Sequence, residues 1–200
     1  SENIRIQTNL NFNFKTKEAS HHLELGFRFH KDEVDRFQWV DNYSIENGVM
    51  KLDLAGTPGT ESNRISSARA FASFAQYKYE KGKLMLAPGL RYEHITLTRA
   101  DYGKEDPLRT GVSLNKRNNG VDVLIPGLSA RYQMAPNSKL FIGIHRGFAP
   151  PGSQEGAEPE KSWNYEIGAA RSEKRWSVQV VGYLNRYSNL LGADLAASGG

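Results

Sequence analysis

Cysteine is absent from the 200 residues, and so is any long apolar run. The lack of cysteine excludes disulfides and thiolate metal sites, and it is compatible with the cytoplasm, the periplasm or the outer membrane. A membrane-spanning helix needs about 20 consecutive apolar residues. With a mean hydropathy of −0.59 and 38% hydrophobic residues, no segment provides them. A spanning β-strand needs apolar residues only at alternate positions, so it passes this filter.

Runs of positive charge and catalytic motifs are also missing. The net charge is +4, but Lys and Arg are scattered among 22 acidic residues, which argues against nucleic-acid binding. The sequence has no nucleophile elbow, phosphate-binding glycine loop or zinc-protease motif. His22, Glu24 and His30 share a strand face, but eight residues of strand span about 26 Å, so His22 and His30 cannot share one metal ion. We therefore predict a protein that is not an enzyme and has no metal site or cofactor.

The dominant positive signal is alternation with a period of two. In residues 4–14 most even positions are Ile, Leu or Phe, whereas the odd positions are Arg, Gln or Asn. This pattern is typical of a β-strand. It returns along the chain in seven further segments: 23–30, 68–80, 83–98, 121–134, 139–148, 162–170 and 176–187. The sequence therefore predicts eight antiparallel strands arranged as four hairpins.

The connections between these strands alternate between short and long. Tight turns are predicted at 15–20, 80–83, 135–138 and 171–175, and long loops at 31–67, 99–120 and 147–161. Outer-membrane barrels sort their loops in this way, with short periplasmic turns and long extracellular loops. The strand lengths suit a tilted membrane crossing of about 9–11 residues. We predict an all-β fold, an antiparallel up-and-down transmembrane β-barrel segment in which Leu25, Phe27 and Ile142 face lipid.

The predicted orientation bears on how much of a barrel the chain forms. If the tight turns are periplasmic, the first and last strands both have their free ends outside, and Ala196–Gly200 reads as a loop. We therefore expect residues 1–200 to be part of a single, larger barrel domain. Two alternatives stay open. One is a complete eight-stranded barrel, an adhesin or structural protein, whose first and last strands pair. The other is a soluble β-sandwich that binds carbohydrate through exposed aromatic residues.

Two neighbouring stretches carry a family resemblance. Residues 143–151 read Gly-Ile-His-Arg-Gly-Phe-Ala-Pro-Pro, and residues 158–168 read Glu-Pro-Glu-Lys-Ser-Trp-Asn-Tyr-Glu-Ile-Gly. Together they resemble a pattern of TonB-dependent receptors, in which a strand ending in Gly-Phe-x-x-Pro precedes a loop and then Pro-Glu-x-Ser-x-Asn-Tyr-Glu-x-Gly. Residues 89–93 and Asn185–Gly192 resemble further strands of that family. The resemblance covers most of residues 68–192 and is nearest to receptors of the ferric citrate type.

The resemblance implies a 22-stranded barrel in the outer membrane of a Gram-negative bacterium, of which this chain supplies about eight strands. Such barrels are plugged by an N-terminal domain and import an iron chelate (a siderophore or ferric citrate) or a similar scarce solute. The implied partners are the chelate, outer-membrane lipid and TonB, which acts through the plug. Neither the plug nor a TonB-contacting segment is recognisable in this chain.

Candidate solute-binding residues are polar side chains predicted on the lumen face near the outer end. Guanidinium groups there would attract an anionic chelate, because they offer planar, bidentate hydrogen bonds. The competing interpretation for each residue is a solvated lumen wall or a salt bridge to the plug. The candidates are Arg28, His30, Arg91, Glu93, His145 and Asn164.

Overall fold

The computed structural model describes residues 1–189, which form ten strands. The strands are β1 (Glu2–Lys15), β2 (Ser20–Gln38), β3 (Asn42–Glu46), β4 (Val49–Leu54), β5 (Ser62–Lys81), β6 (Leu84–Asp101), β7 (Asn115–Ala135), β8 (Ser138–Ala149), β9 (Glu160–Ser172) and β10 (Ser177–Ser188). Within this part of the chain no helix is long and apolar enough to span a membrane. The end of the predicted Asn185–Gly192 motif and the predicted loop Ala196–Gly200 lie outside the described residues.

Eight of the strands form one antiparallel sheet in the order β1-β2-β5-β6-β7-β8-β9-β10, and β3 pairs only with β4. The sheet is open, because β1 and β10 are its two edges and do not pair with each other. The complete eight-stranded barrel is therefore wrong for this chain. Each strand of the large sheet contacts only its neighbours, and no second sheet covers it among residues 1–189. The β-sandwich alternative is therefore wrong as well.

The sheet has two faces of opposite character. Partners directly across two strands lie on the same face, so the register assigns each side chain to one of them. Arg28, Arg91 and His145 share what we call the polar face. The predicted lipid-facing residues Leu25, Phe27 and Ile142 lie on the opposite side, which we call the apolar face. Phe27 and Ile142 are 48% and 53% exposed. An apolar surface this extensive is not left in contact with water.

The apolar face is limited to a band. From the tight turns it continues outward until a charged residue ends it on each successive strand: Lys31 on β2, Arg69 on β5, His94 on β6, Asp122 on β7 and Arg146 on β8. Tyrosine and tryptophan lie near both limits, with Tyr77, Tyr79 and Tyr132 near the turns and Tyr92, Trp163 and Tyr165 near the outer limit. Aromatic girdles of this kind flank the lipid-facing band of membrane barrels. We call this zone the apolar band.

Several strands continue far beyond the apolar band, which corrects the predicted loops. The predicted loops at 31–67 and 99–120 are wrong in extent, because β2 continues to Gln38, β5 begins at Ser62, and β6 and β7 reach Asp101 and Asn115. The predicted loop at 147–161 shortens to 150–159. Beyond the apolar band both faces of a strand carry mostly polar residues, so the alternation of apolar and polar residues that signals a strand is lost. β3 and β4 form a separate hairpin within the remaining outer segment.

Candidate functional site

All six predicted site residues lie on the polar face. The register connects them from strand to strand: Arg28 pairs with Ala72, which pairs with Glu93, and Phe74 pairs with Arg91 on the same face. Across β7 and β8, Gly127 pairs with His145, which pairs with Asn164. His30 shares the face of Arg28, two residues further out. The structure therefore brings the six onto one surface, although not into one pocket.

Three of the six line a pocket in the polar face, which we call the wall pocket. Arg28, Arg91 and His145 surround it together with Gln7, Phe74 and Gln76, and its volume is about 420 Å³. Glycine shapes one side of this pocket. A Cβ on Gly26 would lie 2.1 Å from the ring of Phe74, so only glycine lets this ring lie flat over β2. Arg146 also lines this depression, although the register places it on the apolar face. The wall pocket therefore combines the guanidinium groups of Arg28 and Arg91 with the ring of Phe74.

The charge of the wall pocket is only partly balanced. Arg91 Nε donates to Glu93 Oε1 at 2.5 Å, so this guanidinium has a carboxylate partner. Arg28 Nε donates to the neutral amide oxygen of Gln7 at 3.0 Å. A guanidinium without a carboxylate partner favours an anion beside it. Glu93 thus acts on the pocket through Arg91 and does not line it.

His30 and Asn164 lie outside the wall pocket. His30 Nε2 is 3.1 Å from Asp32 Oδ2, and the Nδ2 atom of Asn3 is 3.2 Å from the same ring nitrogen. Asn164 Nδ2 donates to Ser162 Oγ at 3.2 Å. Both residues are held within hydrogen-bonded groups of the wall, which fits the wall interpretation better than a shared binding pocket.

A second group of cations, which the sequence analysis missed, lies further out on the same face. Arg36 on β2 pairs with Arg64 on β5, and Arg99 on β6 pairs with Arg117 on β7. Arg64 and Arg99 lie two residues apart in register, because Arg64 pairs with Asp101. We call Arg36, Arg64, Arg99 and Arg117 the outer arginine cluster. Sequence reasoning missed it because all four members fell in segments predicted as loops, where the face of a side chain cannot be assigned. Only the strand register brings Arg64 next to Arg36.

The outer arginine cluster is under-neutralised. The strand register places one carboxylate, Asp101, opposite Arg64. Arg99 Nη2 donates to Asp101 Oδ2 at 2.6 Å. Burial lowers the pKa of Arg64, the positive charges of Arg99 and Arg36 lower it further, and Asp101 opposes them. Burial alone would raise the pKa of Asp101, but hydrogen bonds from Arg99 and the Gly103 amide hold that pKa below its usual value. The cluster therefore presents excess positive charge at the outer end of the polar face.

The loop 150–159 folds toward this polar face. Asn119, buried on the polar face of β7, donates from Nδ2 to the carbonyl oxygens of Gly152 at 3.1 Å and Ala157 at 2.9 Å. Beside it, Arg117 and Glu155 line a wide depression of about 780 Å³. The inner side of the outer end is thus lined by the outer arginine cluster and by a loop that is tied to the wall.

The loop 102–114 instead packs on the opposite side of β2 and β5, outside the apolar band. Arg109 makes a bidentate contact with Asp35, at 2.9 Å and 2.5 Å, and its guanidinium lies 5.0 Å from the ring centre of Phe37. Asn63, 3% exposed, donates to the carbonyl oxygens of Gly103 and Asp106. These contacts hold the loop against the wall and leave the polar face open.

Docking of the loop 102–114 is expected to depend on pH. The hydrogen bond from Arg109 lowers the pKa of Asp35 below its ordinary value of 3.8. The stabilisation is therefore complete above about pH 4 and is lost as the pH falls through the lowered pKa. Since Asp35 is half exposed, the pair contributes at most about 1 kcal/mol. D35N mimics the protonated state, and at pH 7 it should speed hydrogen exchange of the loop amides severalfold. D53N on the β3–β4 hairpin is the control, and equal exchange in both variants would contradict this account.

Among residues 1–189, no group of three or more His, Asp or Glu side chains is arranged to hold a metal ion. The polar groups of the site are instead guanidinium, amide and imidazole side chains. Their chemistry is recognition of charge and shape by hydrogen bonds.

Comparison with known proteins gives consistent results. A sequence model of the family described as TonB dependent receptor-like, beta-barrel, matches residues 2–200. The fold resembles the crystal structure of the unliganded ferric citrate transporter FecA, with a TM-score of 0.72 and 16% identity over 92% of this chain and 27% of that one. It also resembles the siderophore receptor PiuA from Acinetobacter baumannii, with a TM-score of 0.71 and 13% identity over 90% of this chain and 31% of that one. For the ferric-catecholate import receptor Fiu from E. coli K12 the TM-score is 0.70, with 18% identity over 94% and 31%. The chain spans less than a third of each of these proteins.

Proposed function

Because this chain belongs to the TonB-dependent receptor-like β-barrel family, we propose that it forms part of the wall of an outer-membrane barrel that imports an anionic iron chelate. The chelate would be a siderophore complex or a ferric citrate-like complex. The observation that carries this proposal is the outer arginine cluster. Its four guanidinium groups lie on the polar face, and the register places one carboxylate, Asp101, beside them.

The two faces give the proposal its orientation. The apolar band meets the lipid of the outer membrane of a Gram-negative bacterium, and the polar face lines the passage through the barrel. The tight turns then lie in the periplasm and the extended ends of β2, β5, β6 and β7 lie outside the cell. This orientation puts the outer arginine cluster where a solute arrives.

The charge of the polar face supports an anionic solute. Guanidinium groups bind carboxylates and catecholates through planar, paired hydrogen bonds, and they attract anions most strongly where water is partly excluded. Further down the same face, the wall pocket forms a second binding site for the solute, through Arg28, Arg91 and His145. Glu93, His30 and Asn164 belong to the same face, and within the proposal they tune or extend the contact surface.

The chain supplies one part of the barrel domain. Its sheet has two unpaired edges, so strands elsewhere in the protein must complete the wall. The resemblance that the chain bears to this family implies that a plug domain fills the barrel and transmits energy from TonB. On this proposal the protein is a transporter and not an enzyme.

Uptake of labelled iron by whole cells tests the proposal. The full-length protein that carries this chain is expressed in a Gram-negative strain that lacks its other ferric-chelate receptors, with and without TonB. We expect TonB-dependent uptake of ⁵⁵Fe offered as ferric citrate or as an anionic tris-catecholate, and little uptake of an uncharged tris-hydroxamate complex. Equal uptake of charged and uncharged complexes, or uptake that does not need TonB, would contradict the proposal.

A further inference from the structure

The apolar face carries a groove on β7 to β10 that the transport function does not use. Its walls are Leu128, Ile142, Ile144, Tyr165, Ile167 and Leu184, and its volume is about 530 Å³. Gly182 lies among these residues, in register with Ile167. Because glycine has no side chain, the surface is recessed at this point of β10. Glu166 and Tyr183 also line the groove, but the register places both on the polar face. The lining residues on the apolar face are aliphatic apart from Tyr165 and Gly182, and such a groove suits an acyl chain.

Packing does not require the glycine that forms this recess. A Cβ on Gly182 would come no closer than 3.7 Å to another heavy atom, which is ordinary van der Waals contact. A larger side chain would therefore fit there and fill the groove. This contrasts with Gly26 and Gly168, where a Cβ would overlap a phenylalanine ring.

A row of basic residues borders the outer end of the groove. Arg146 on β8 pairs with Trp163 on β9, which pairs with Arg186 on β10, and Lys161 lies two residues beyond Trp163 on the same face. Two residues of strand advance about 6.5 Å, so Arg146 and Arg186 lie one such step beyond Ile144 and Leu184, and Lys161 lies two steps beyond Tyr165. We call Arg146, Lys161 and Arg186 the basic row. Its position matches the level of lipid headgroups above the apolar band.

The basic row has no carboxylate partners within residues 1–189. The apolar-face positions of β8, β9 and β10 carry no Asp or Glu, and none of the three cations forms an ion pair there. Arg146 reaches only the carbonyl oxygen of Leu124, at 3.3 Å, and its buried Nε has no partner. Elsewhere along the limit of the apolar band Lys31 pairs with Glu2 and His94 pairs with Asp122.

We propose that the groove and the basic row together bind one anionic lipid of the outer leaflet. Its acyl chain lies in the groove between Ile142, Tyr165 and Leu184, and its phosphate is held by the basic row. Guanidinium and ammonium groups at a membrane surface attract anionic headgroups, and Trp163 lies at the depth where indole rings settle. The inference rests on the proposed membrane orientation, since only lipid on this face makes the groove accessible to acyl chains.

Lipid binding to the full-length protein tests this inference. The protein is purified in detergent and titrated with lipid A, which is a bis-phosphorylated glycolipid, and bound lipid is counted by native mass spectrometry. The triple variant R146Q/K161Q/R186Q should bind lipid A at least about tenfold more weakly than the wild type. The matched control is R171Q/K174Q/R175Q, which removes the same two arginines and one lysine at the other end of the β9–β10 pair. It should bind within about twofold of the wild type.

Two further arms separate the headgroup from the acyl chain. G182L fills the groove and leaves the basic row intact, so it should weaken lipid A binding severalfold. Inorganic phosphate at millimolar concentration should not displace lipid A from the wild type. Unchanged binding in the triple variant, an equal loss in the control, or displacement by phosphate alone would overturn the inference. If the wild type is found in the outer-membrane fraction and still fails to bind, the inference fails and the proposed function stands.

Discussion

Replacing Arg64 and Arg99 together with glutamine is expected to lower uptake of an anionic iron chelate about 100-fold at limiting concentration. Each guanidinium hydrogen-bonded to a charged group contributes roughly 1.5–3 kcal/mol, and 1.4 kcal/mol corresponds to a factor of ten. Glutamine keeps hydrogen-bonding capacity and most of the side-chain length, so the loss reports the positive charge. The measurement is the initial rate of ⁵⁵Fe uptake as ferric citrate by cells expressing the full-length protein.

The matched control is R69Q. Arg69 lies on the same strand as Arg64, but it belongs to the opposite face, where Lys31 and Thr96 are its cross-strand partners. Uptake by R69Q should equal that of the wild type. The amount of each variant in the outer membrane is measured in parallel, because loss of folding would lower uptake without bearing on binding. An R64Q/R99Q variant that is fully inserted and transports normally would show that the outer arginine cluster does not contact the solute.

The sequence predicts the strands well within the apolar band and poorly outside it. Between residues 68 and 98, for example, one face must be apolar because it meets hydrocarbon, and the alternation is readable. Beyond Phe29 on β2, both faces are solvated, and Val34 and Phe37 no longer fall in a regular pattern. Hydrogen bonds to β5 nevertheless carry β2 on to Gln38. Backbone pairing of this kind leaves no trace in side-chain polarity.

The β3–β4 hairpin was predictable from a local signal. Asn47 and Gly48 have φ of 54° and 79° and form its two-residue turn. Asn-Gly is the strongest sequence indication of such a turn. The flanking residues alternate, with Tyr43, Ile45, Met50 and Leu52 on one side of the hairpin. The hairpin was missed because the segment was interpreted only as a connection between membrane strands.

The candidate site was likewise predictable only in part from the sequence. Alternation alone assigned Arg28, Arg91 and His145 to one face, because each lies inside a predicted strand. It could not show that Phe74 lies over Gly26, or that Arg28 has a neutral partner whereas Arg91 has Glu93, since those contacts join different strands. The outer arginine cluster depends on the register of four strands beyond the apolar band. Such a cluster cannot be assembled from the sequence until the strand extents are known.

Two adjacent residues of β7, Leu128 and Ser129, lie on opposite faces of the sheet and allow the two faces to be compared directly. Leu128 lies midway along the apolar band and is 46% exposed, whereas Ser129 lies on the polar face between Ala87 and Gly143. An arginine at the bilayer midplane costs about 2–4 kcal/mol on the lipid face of a barrel. The small neighbours of Ser129 leave room for an arginine in the watery passage.

The most direct measurement compares L128R with S129R in the full-length protein. Each variant is folded into phosphatidylcholine vesicles, and its free energy of unfolding is determined by urea titration. If the apolar face meets lipid and the polar face lines the passage, L128R loses about 2–4 kcal/mol and S129R loses less than about 1 kcal/mol. Equal losses in the two variants, or a larger loss in S129R, would contradict the assignment of the two faces and the transport function built on it.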